Sequence, residues 1–366
     1  MKAVVAIPVR DEETAIRSCL DALLRQRDHR GHPLASFTFG IVVLFNNCTD
    51  CSVAVAEACL CGAGVPFVLS DVRLSPDRAN AGTARRLAMD IAALWIERSG
   101  QSDSLLLTTD ADSQVPNDWV MRNLEALKNG SRAVAGRARL DTDAQEGLPS
   151  KLLRRVGLED AYEARLAKLA ARLDPLAHDP WPNHRAASGA SYAVTLDAYR
   201  AIGGLPNIPC GEDRALTRAL ERQDILIRHA PDIVVLTSAR LRGRAQGGAA
   251  DTLRARCEDP DLPSDPSLEP VALAARRFSW RRRLRLLHGW GDLGRKASWR
   301  TALQLPEEAG EWAEEPHFGS FWAHVEDASP RLAPHALRPS EIRPQIAAAD
   351  MMLSHWDQSA SRQSRR

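Results

Sequence analysis

Leu105-Leu106-Leu107-Thr108-Thr109-Asp110-Ala111-Asp112 is an apolar run that ends on two carboxylates. Such a run, without polar alternation, is covered on both faces, which is how a strand of a parallel sheet reads. Upstream, Ala3–Val9 and Phe39–Phe45 have the same character, and Pro66–Leu69 makes a third, shorter run. Helical spacing separates them. Ile16, Cys19, Leu20, Leu23 and Leu24 share one face, with Asp11 able to cap; Val53, Val55, Ala56 and Ala58 follow, and a third helix covers 82–98. Downstream, Pro116 opens a helix that carries Trp119, Val120, Leu124 and Leu127 and that Gly130 stops.

This alternation predicts an α/β fold, a doubly wound, mostly parallel sheet flanked by helices. Ligands of such sheets bind at the carboxyl ends of strands. Those ends carry Asp11 and Glu12, Asn46 to Asp50, Asp71, and Asp110 with Asp112. Beyond residue 140 the pattern loosens: a charged amphipathic helix over 151–173, a strand over 190–196, a helix from Glu212-Asp213, and a strand pair over 225–237 around Pro231. Prolines and acids between 258 and 270 read as a linker. The expected division is therefore 1–257, with halves 1–140 and 141–257, followed by a helical or irregular extension 258–366 whose tail from Ser359 is disordered.

The chain has 366 residues, with 48 basic and 47 acidic side chains, so its net charge points to no polyanionic partner. The balance is uneven along the chain: residues 276–300 hold nine Lys/Arg against one acid, Asp292, while 306–327 hold seven acids and no Lys or Arg. No stretch reaches the ~18 apolar residues of a membrane span. The apolar start is short and Arg10-Asp11-Glu12-Glu13 follows it, so it reads as a strand of a cytoplasmic protein and not as a signal peptide. Cys48, Cys51, Cys59 and Cys61 raise a zinc site. On a helix, however, eight residues at ~1.5 Å each part Cys51 from Cys59 by ~12 Å, too far for one ion. Reduced thiols are the better account.

Asp-x-Asp at the end of a buried strand suits Mg²⁺ or Mn²⁺, which take one or two carboxylates plus phosphates and water. An ion there can offset charge growing on a leaving diphosphate. The bland alternative is a turn, with Asp112 capping and Asp110 solvated.

The order of the pieces narrows the choice. Val5-Ala6-Ile7-Pro8-Val9-Arg10-Asp11-Glu12, Val42-Val43-Leu44-Phe45-Asn46-Asn47-Cys48-Thr49-Asp50, Asn80-Ala81-Gly82-x-x-Arg85 and Thr109-Asp110-Ala111-Asp112 together resemble family 2 glycosyltransferases of the GT-A fold. The likeness runs from residue 3 to about 140 and, more loosely, through Gly211-Glu212-Asp213. It implies a Rossmann-like GT-A sheet, a UDP- or GDP-sugar donor, and Mg²⁺ or Mn²⁺ on Asp112 with Asp110. Pro8, Arg10 and Glu12 would line the nucleoside pocket, with Asp71 and Arg85 near the base and phosphates. One departure concerns the base. Many members carry acids after the second strand, where this chain has Asn46 and Asn47, amides that both donate and accept.

The resemblance also implies Asp213 as general base, with Glu212 beside it; direct displacement would then invert the anomeric carbon, and retention is the alternative. Two acids at a helix start also complement its dipole. Gly189, Gly203 and Gly204 are expected to keep the approach open. Arg240 and Arg244, in the glycine-rich segment 237–248, are candidates to close over a diphosphate; a solvated basic loop is the alternative. The run 276–285 mixes arginines with aromatics. It is open to a peripheral contact with an anionic membrane, but pairing within the chain to the acidic 306–327 is preferred, and no nucleic-acid partner is expected. Two other classes stay open: a sugar nucleotidyltransferase, which would show a glycine-rich basic loop after the first strand, and a non-catalytic nucleotide-binding or scaffold protein. The acceptor is not legible.

Overall fold

The computed structural model describes residues 1–101, 103–127, 130–141, 148–241, 243–244 and 247–363. The elements begin with β1 (Ala3–Val9), α1 (Ile16–Leu24), β2 (Phe39–Asn46), α2 (Ser52–Leu60), β3 (Phe67–Val72), α3 (Ala81–Arg98) and β4 (Leu105–Thr108). Next come β5 (Ser113–Gln114), α4 (Trp119–Ala126), β6 (Ala133–Leu140), α5 (Ser150–Leu173), β7 (Tyr192–Thr195), α6 (Leu196–Ala201), α7 (Glu212–Arg222) and β8 (Ile227–Thr237). The remainder is helical: α8 (Ala249–Glu258), α9 (Val271–Gly289), α10 (Ser298–Leu303), a 3₁₀ turn at Glu307–Glu314, α11 (Phe318–Ala328) and α12 (Pro339–Gln363).

The strands form one sheet in the order β3-β2-β1-β4-β7-β6-β8-β5. β1 lies between β2 and β4 and parallel to both, with Val5 opposite Ile41 and Leu107. The expected α/β sheet is there, but it is mixed: β7 runs antiparallel to β4 and β6, and β5 antiparallel to β8. Residues 227–237 are one strand, not a pair. Its pairing with β6 jumps between Ala135 and Arg137, and Pro231 falls in that irregularity, where a missing N–H does no harm. Alternate residues of β1 feed two cores. Ala3, Val5, Ile7 and Val9 pack with α1, α2 and α4, while Val4 and Ala6 pack with α3, α6 and α7. The N-terminus of α3 is closed by Asn80, whose side chain accepts the Thr83 N–H at 2.9 Å. α1 is not capped by Asp11, because its first turn begins further on at Ile16.

Two compact units are interleaved along the chain: 1–147, 186–221 and 225–254 form the first, and 148–185, 222–224 and 255–366 the second. The boundary expected at 257/258 therefore misses α5. The apolar stripe of that helix, Tyr162, Leu166 and Leu169, is buried against Phe278 of α9 and Ile342 and Leu353 of α12. The other core of the second unit gathers Trp299, Phe321, Trp322 and Leu284. α12 continues to Gln363, so the loose tail expected from Ser359 is helical to that point, and 364–366 lie outside the described residues. Among the described residues, no helix is long and apolar enough to cross a membrane.

Candidate active site

From β1 the chain moves to β2 and β3 on one side and to β4 on the other. The carboxyl ends of β1 and β4 thus border a topological switch point, the place where open α/β sheets bind ligands. Asp11 and Glu12 leave β1 there, and Asp110 and Asp112 leave β4. β7 runs the other way, with Tyr192 opposite Thr108, so the backbone of Ser188 and Gly189 enters at the same edge.

Arg85 of α3 is the hub. Its Nε donates to Glu212 Oε1 at 2.9 Å, Nη2 to Asp110 Oδ1 at 2.5 Å, and Nη1 to Thr108 Oγ1 and the Gly189 carbonyl at 2.8 and 3.0 Å. Burial works against its charge, but Asp110 and Glu212 more than offset that and hold the guanidinium protonated. Expected near the base and phosphates, Arg85 is instead committed to protein partners. Glu212, expected beside the base, is buried as its counter-ion. Gly189 does not open an approach: a Cβ there would lie 2.6 Å from the Arg85 guanidinium, so the glycine is what lets the backbone touch it. Gly203 and Gly204 close the turn after α6 and hold no place among these acids.

A second ion-pair cluster joins β1 to β4. Arg240 meets Glu12 through two hydrogen bonds of 2.6 and 2.5 Å and reaches Asp112 Oδ2 at 3.1 Å. The Glu12 N–H is held by Ser52 Oγ at 2.8 Å. Burial first, then the charge of Asp110, pushes the Asp112 carboxyl up to about 6; Arg240 pulls it back and Glu12 adds to the rise. Arg240 was expected over a diphosphate and stands here on the acids. Asp213 Oδ2 accepts the Gly189 N–H at 3.1 Å and Oδ1 the Arg214 N–H at 2.7 Å. Burial and the neighbouring Glu212 raise its pKa above the usual carboxylate value. Gly211, at φ +77°, makes the left-handed turn that starts α7 on Glu212.

A cleft of about 850 Å³ opens at the ends of β1 and β2, lined by Arg10, Asp11, Asn47, Asn80, Pro209 and Arg244 among others. Arg10 donates to the Ala79 carbonyl at 2.6 Å, and Arg244 to the Asp11 carbonyl at 3.0 Å. Asn46 is 2% exposed. Its amide donates to the Asn80 carbonyl, and its Oδ1, like Thr109 Oγ1 and Ser113 Oγ, has no partner in the structure. Pro8 ends in the strand opposite Leu44, and Asp71 lies half-exposed on the edge strand, 3.8 Å from Arg73. Asn47, expected with Asn46 at the ligand-binding end of β2, lines the cleft, and Asn80, for which no such place was expected, joins it. Asn47 does so because it takes φ +54° and ties its amide to Leu74, turning the chain under the cleft.

Among the described residues, the one grouping of three metal-competent side chains is Asp11, Cys48 and Asp50, with ligand atoms within 4.8 Å of one another. Each of its side chains also hydrogen-bonds within the chain. Asp11 Oδ1 accepts the Thr49 N–H at 2.7 Å, Asp50 Oδ1 accepts from Ser52, and burial raises the Cys48 thiol pKa. The cluster is the joint between two loops. No cluster gathers Cys48, Cys51, Cys59 and Cys61, among which Cys51 and Cys61 are exposed.

No family model and no curated protein matches the chain. Solved structures do. S. aureus TarS (1-349) in complex with UDP is 12% identical, covering 89% of this chain and 91% of that one at a TM-score of 0.45. The mannosyltransferase PcManGT from Pyrobaculum calidifontis, in complex with GDP-Man and Mn²⁺, is 15% identical, covering 89% and 85% at 0.48. Glucosyl-3-phosphoglycerate synthase from Mycobacterium tuberculosis is 20% identical, covering 72% and 82% at 0.39. At these values the likeness decides neither fold nor activity, and both rest on the chain's own residues.

Proposed function

We propose that the chain transfers a glycosyl group from a nucleoside-diphosphate sugar to an acceptor hydroxyl. One observation carries the reading: at the switch point of the sheet, Asp110 after β4 and Glu212 opening α7 meet across Arg85, each with a second acid, Asp112 or Asp213, beside it. The order of the motifs along the chain supports it as well. A sugar nucleotidyltransferase is disfavoured, since the turn after β1 holds a buried Glu12 and a left-handed Asp11 where a glycine-rich basic loop would be needed.

The residues fit a divalent cation. Asp112, crowded by Asp110 and Glu12, is short of positive charge, and the Arg240 guanidinium stands in for a cation at 3.1 Å. Asp112 with Asp110 would hold Mg²⁺ or Mn²⁺, which supplies Lewis-acid relief of the charge growing on the diphosphate. The chain's own groups do the rest. Arg10 and Arg244 line the cleft for the anionic donor, with Pro8 at the nucleoside and Arg240 released to the phosphates. The unpartnered Asn46 Oδ1 is an acceptor for the base, and Asp71, on the neighbouring β3, would stand near it. As the acceptor oxygen bonds to the anomeric carbon, the carbon–phosphate oxygen bond breaks and its electron pair leaves with the diphosphate. The hydroxyl proton passes to Asp213, each of whose oxygens takes one backbone N–H and keeps a lone pair. Direct displacement of this kind inverts the anomeric centre. Glu212 positions Arg85 and is not a second base.

Calorimetric titration with UDP, GDP and their sugar conjugates, with Mn²⁺ and with chelator, tests the reading on wild type and Asp112→Ala. Metal-dependent binding of one nucleotide, lost in the variant, is expected. Folded protein that binds no nucleoside diphosphate sinks it.

A further inference from the structure

The basic stretch after residue 275 is sorted by α9 onto two sides. Arg277, Arg281 and Arg285, four residues apart, turn inward. Arg277 pairs with Glu269 and with Glu326 of the acidic stretch; Arg281 and Arg285 pair with the buried Asp174. The expected pairing within the chain therefore accounts for only part of the charge, and two of its three acids lie outside 306–327. The outer side keeps the rest. Arg282 and Arg283 are exposed there, the Arg283 guanidinium lies 4.9 Å over the Trp280 ring, and Lys296 follows in the turn after the helix. Among the described residues, Arg282 reaches only the Leu173 carbonyl, at 3.5 Å. Asp292 lies 3.6 Å from Lys296.

Between these cations stand Leu286, 44% exposed, and Trp290, 65% exposed. They wall a depression of about 350 Å³ together with Ser279, Arg282, Arg283 and Lys296. Seven large apolar side chains are strongly exposed among the described residues, and these two stand together inside a ring of positive charge. Neither half of that arrangement is explained by folding. An exposed Trp and Leu are wasted against a phosphodiester backbone, but they suit the boundary between headgroups and acyl chains, where indole rings collect. Guanidinium and ammonium groups beside them match lipid phosphates.

We propose that the outer face of α9 and the turn that follows it dock the protein on an anionic lipid surface. A headgroup phosphate enters between Arg282, Arg283 and Lys296, and Leu286 and Trp290 enter the interface. The proposal stands independently of the catalytic reading. Flotation of the full chain with phosphatidylcholine vesicles, with and without phosphatidylglycerol, tests it. The chain is expected to float only with the anionic vesicles, and less so in high salt. At roughly fivefold per basic residue, Arg282→Glu with Arg283→Glu should cut binding more than tenfold. Trp290→Ala should weaken it with an unchanged melting temperature. Arg25→Glu with Arg30→Glu makes the same charge change at exposed sites of the first unit and should leave binding intact. Absence of flotation, retention in the Arg282/Arg283 variant, or equal loss in the control overturns the proposal. Tighter binding to duplex DNA than to vesicles, lost in the Arg282/Arg283 variant, assigns the face to nucleic acid and overturns it too.

Discussion

Arg240 and Glu12, 228 residues apart in the chain, close a two-pronged ion pair, Nη1 to Oε2 at 2.6 Å and Nη2 to Oε1 at 2.5 Å. The same guanidinium lies 3.1 Å from Asp112. It therefore neutralises a crowd of acids that the sheet brings together where β1 and β4 end. Glu12 is buried and Arg240 is not fully so, which places the pair between a surface bridge and a buried one. Arg240→Ala is expected to cost about 2 kcal/mol, measured by urea denaturation in chelator. Saturating Mn²⁺ should return more stability to this variant than to wild type, because the ion would then meet Asp112 and Glu12 without the guanidinium that otherwise pairs with them. Equal Mn²⁺ effects on both proteins would count against a metal at Asp112.

Arg85 offers a sharper contrast, since it and Glu212 are both buried. Arg85→Met should destabilise by about 3–5 kcal/mol, the usual result of leaving buried carboxylates without their cation. Arg85→Lys keeps the charge but loses the planar fork that reaches Glu212, Asp110 and Thr108 at once, so it should recover only part of that loss. Full recovery by lysine would show that charge alone matters at this position.

Asp112 makes stability depend on pH with a defined sign. Its folded pKa, about 6, lies above the ordinary aspartate value of 3.8. The benefit of protonating it is fully present below pH 3.8 and is lost as pH rises through about 6. Asp112→Asn removes the penalty. In the absence of metal, the variant should be more stable than wild type at pH 8 by on the order of 2 kcal/mol. The gap should shrink steadily below pH 6 and close near pH 4. Thermal melts of the two proteins across this range give the answer; a gap that stays constant with pH rules out Asp112 as the titrating group.

The sheet and its flanking helices were legible because β1, β2 and β4 are uninterrupted apolar runs separated by helical spacing. The antiparallel entry of β7 was not, since a four-residue strand carries no mark of its direction. The interleaving of the units escaped for a similar reason: the stripe of α5 says that something covers it, but not that α9 and α12 do. In the site, the acids themselves were visible as residues at strand and helix ends. Their partners were not. Arg85 reads from sequence as a phosphate ligand, since nothing local tells a guanidinium that will be buried between two carboxylates from one that meets a substrate, and the hold of Arg240 on Glu12 and Asp112 leaves no local mark either. Gly189 looked like an open approach for the same reason; its meaning lies in the distance to Arg85, which only the fold supplies.

Asp213 and Glu212 are adjacent in sequence and opposite in circumstance, which makes them separable by experiment. Glu212 is spent on Arg85, while the oxygens of Asp213 take one backbone N–H each. Asp213→Asn preserves shape and both backbone contacts on its oxygen side only in part, so folding should survive with a small loss. Removing a general base typically costs 10²–10⁴ in rate, and transfer should fall by about that factor while metal-dependent nucleotide binding is unchanged. Burial and Glu212 raise the Asp213 pKa above the aspartate norm. The base is active only when ionised, so wild-type turnover should decline on the acid side at a pH higher than an ordinary aspartate would set. Glu212→Gln should behave differently, losing stability along with activity because Arg85 is left with one carboxylate. A transferase whose rate ignores Asp213→Asn would move the base elsewhere and leave that aspartate as the clasp that holds Gly189.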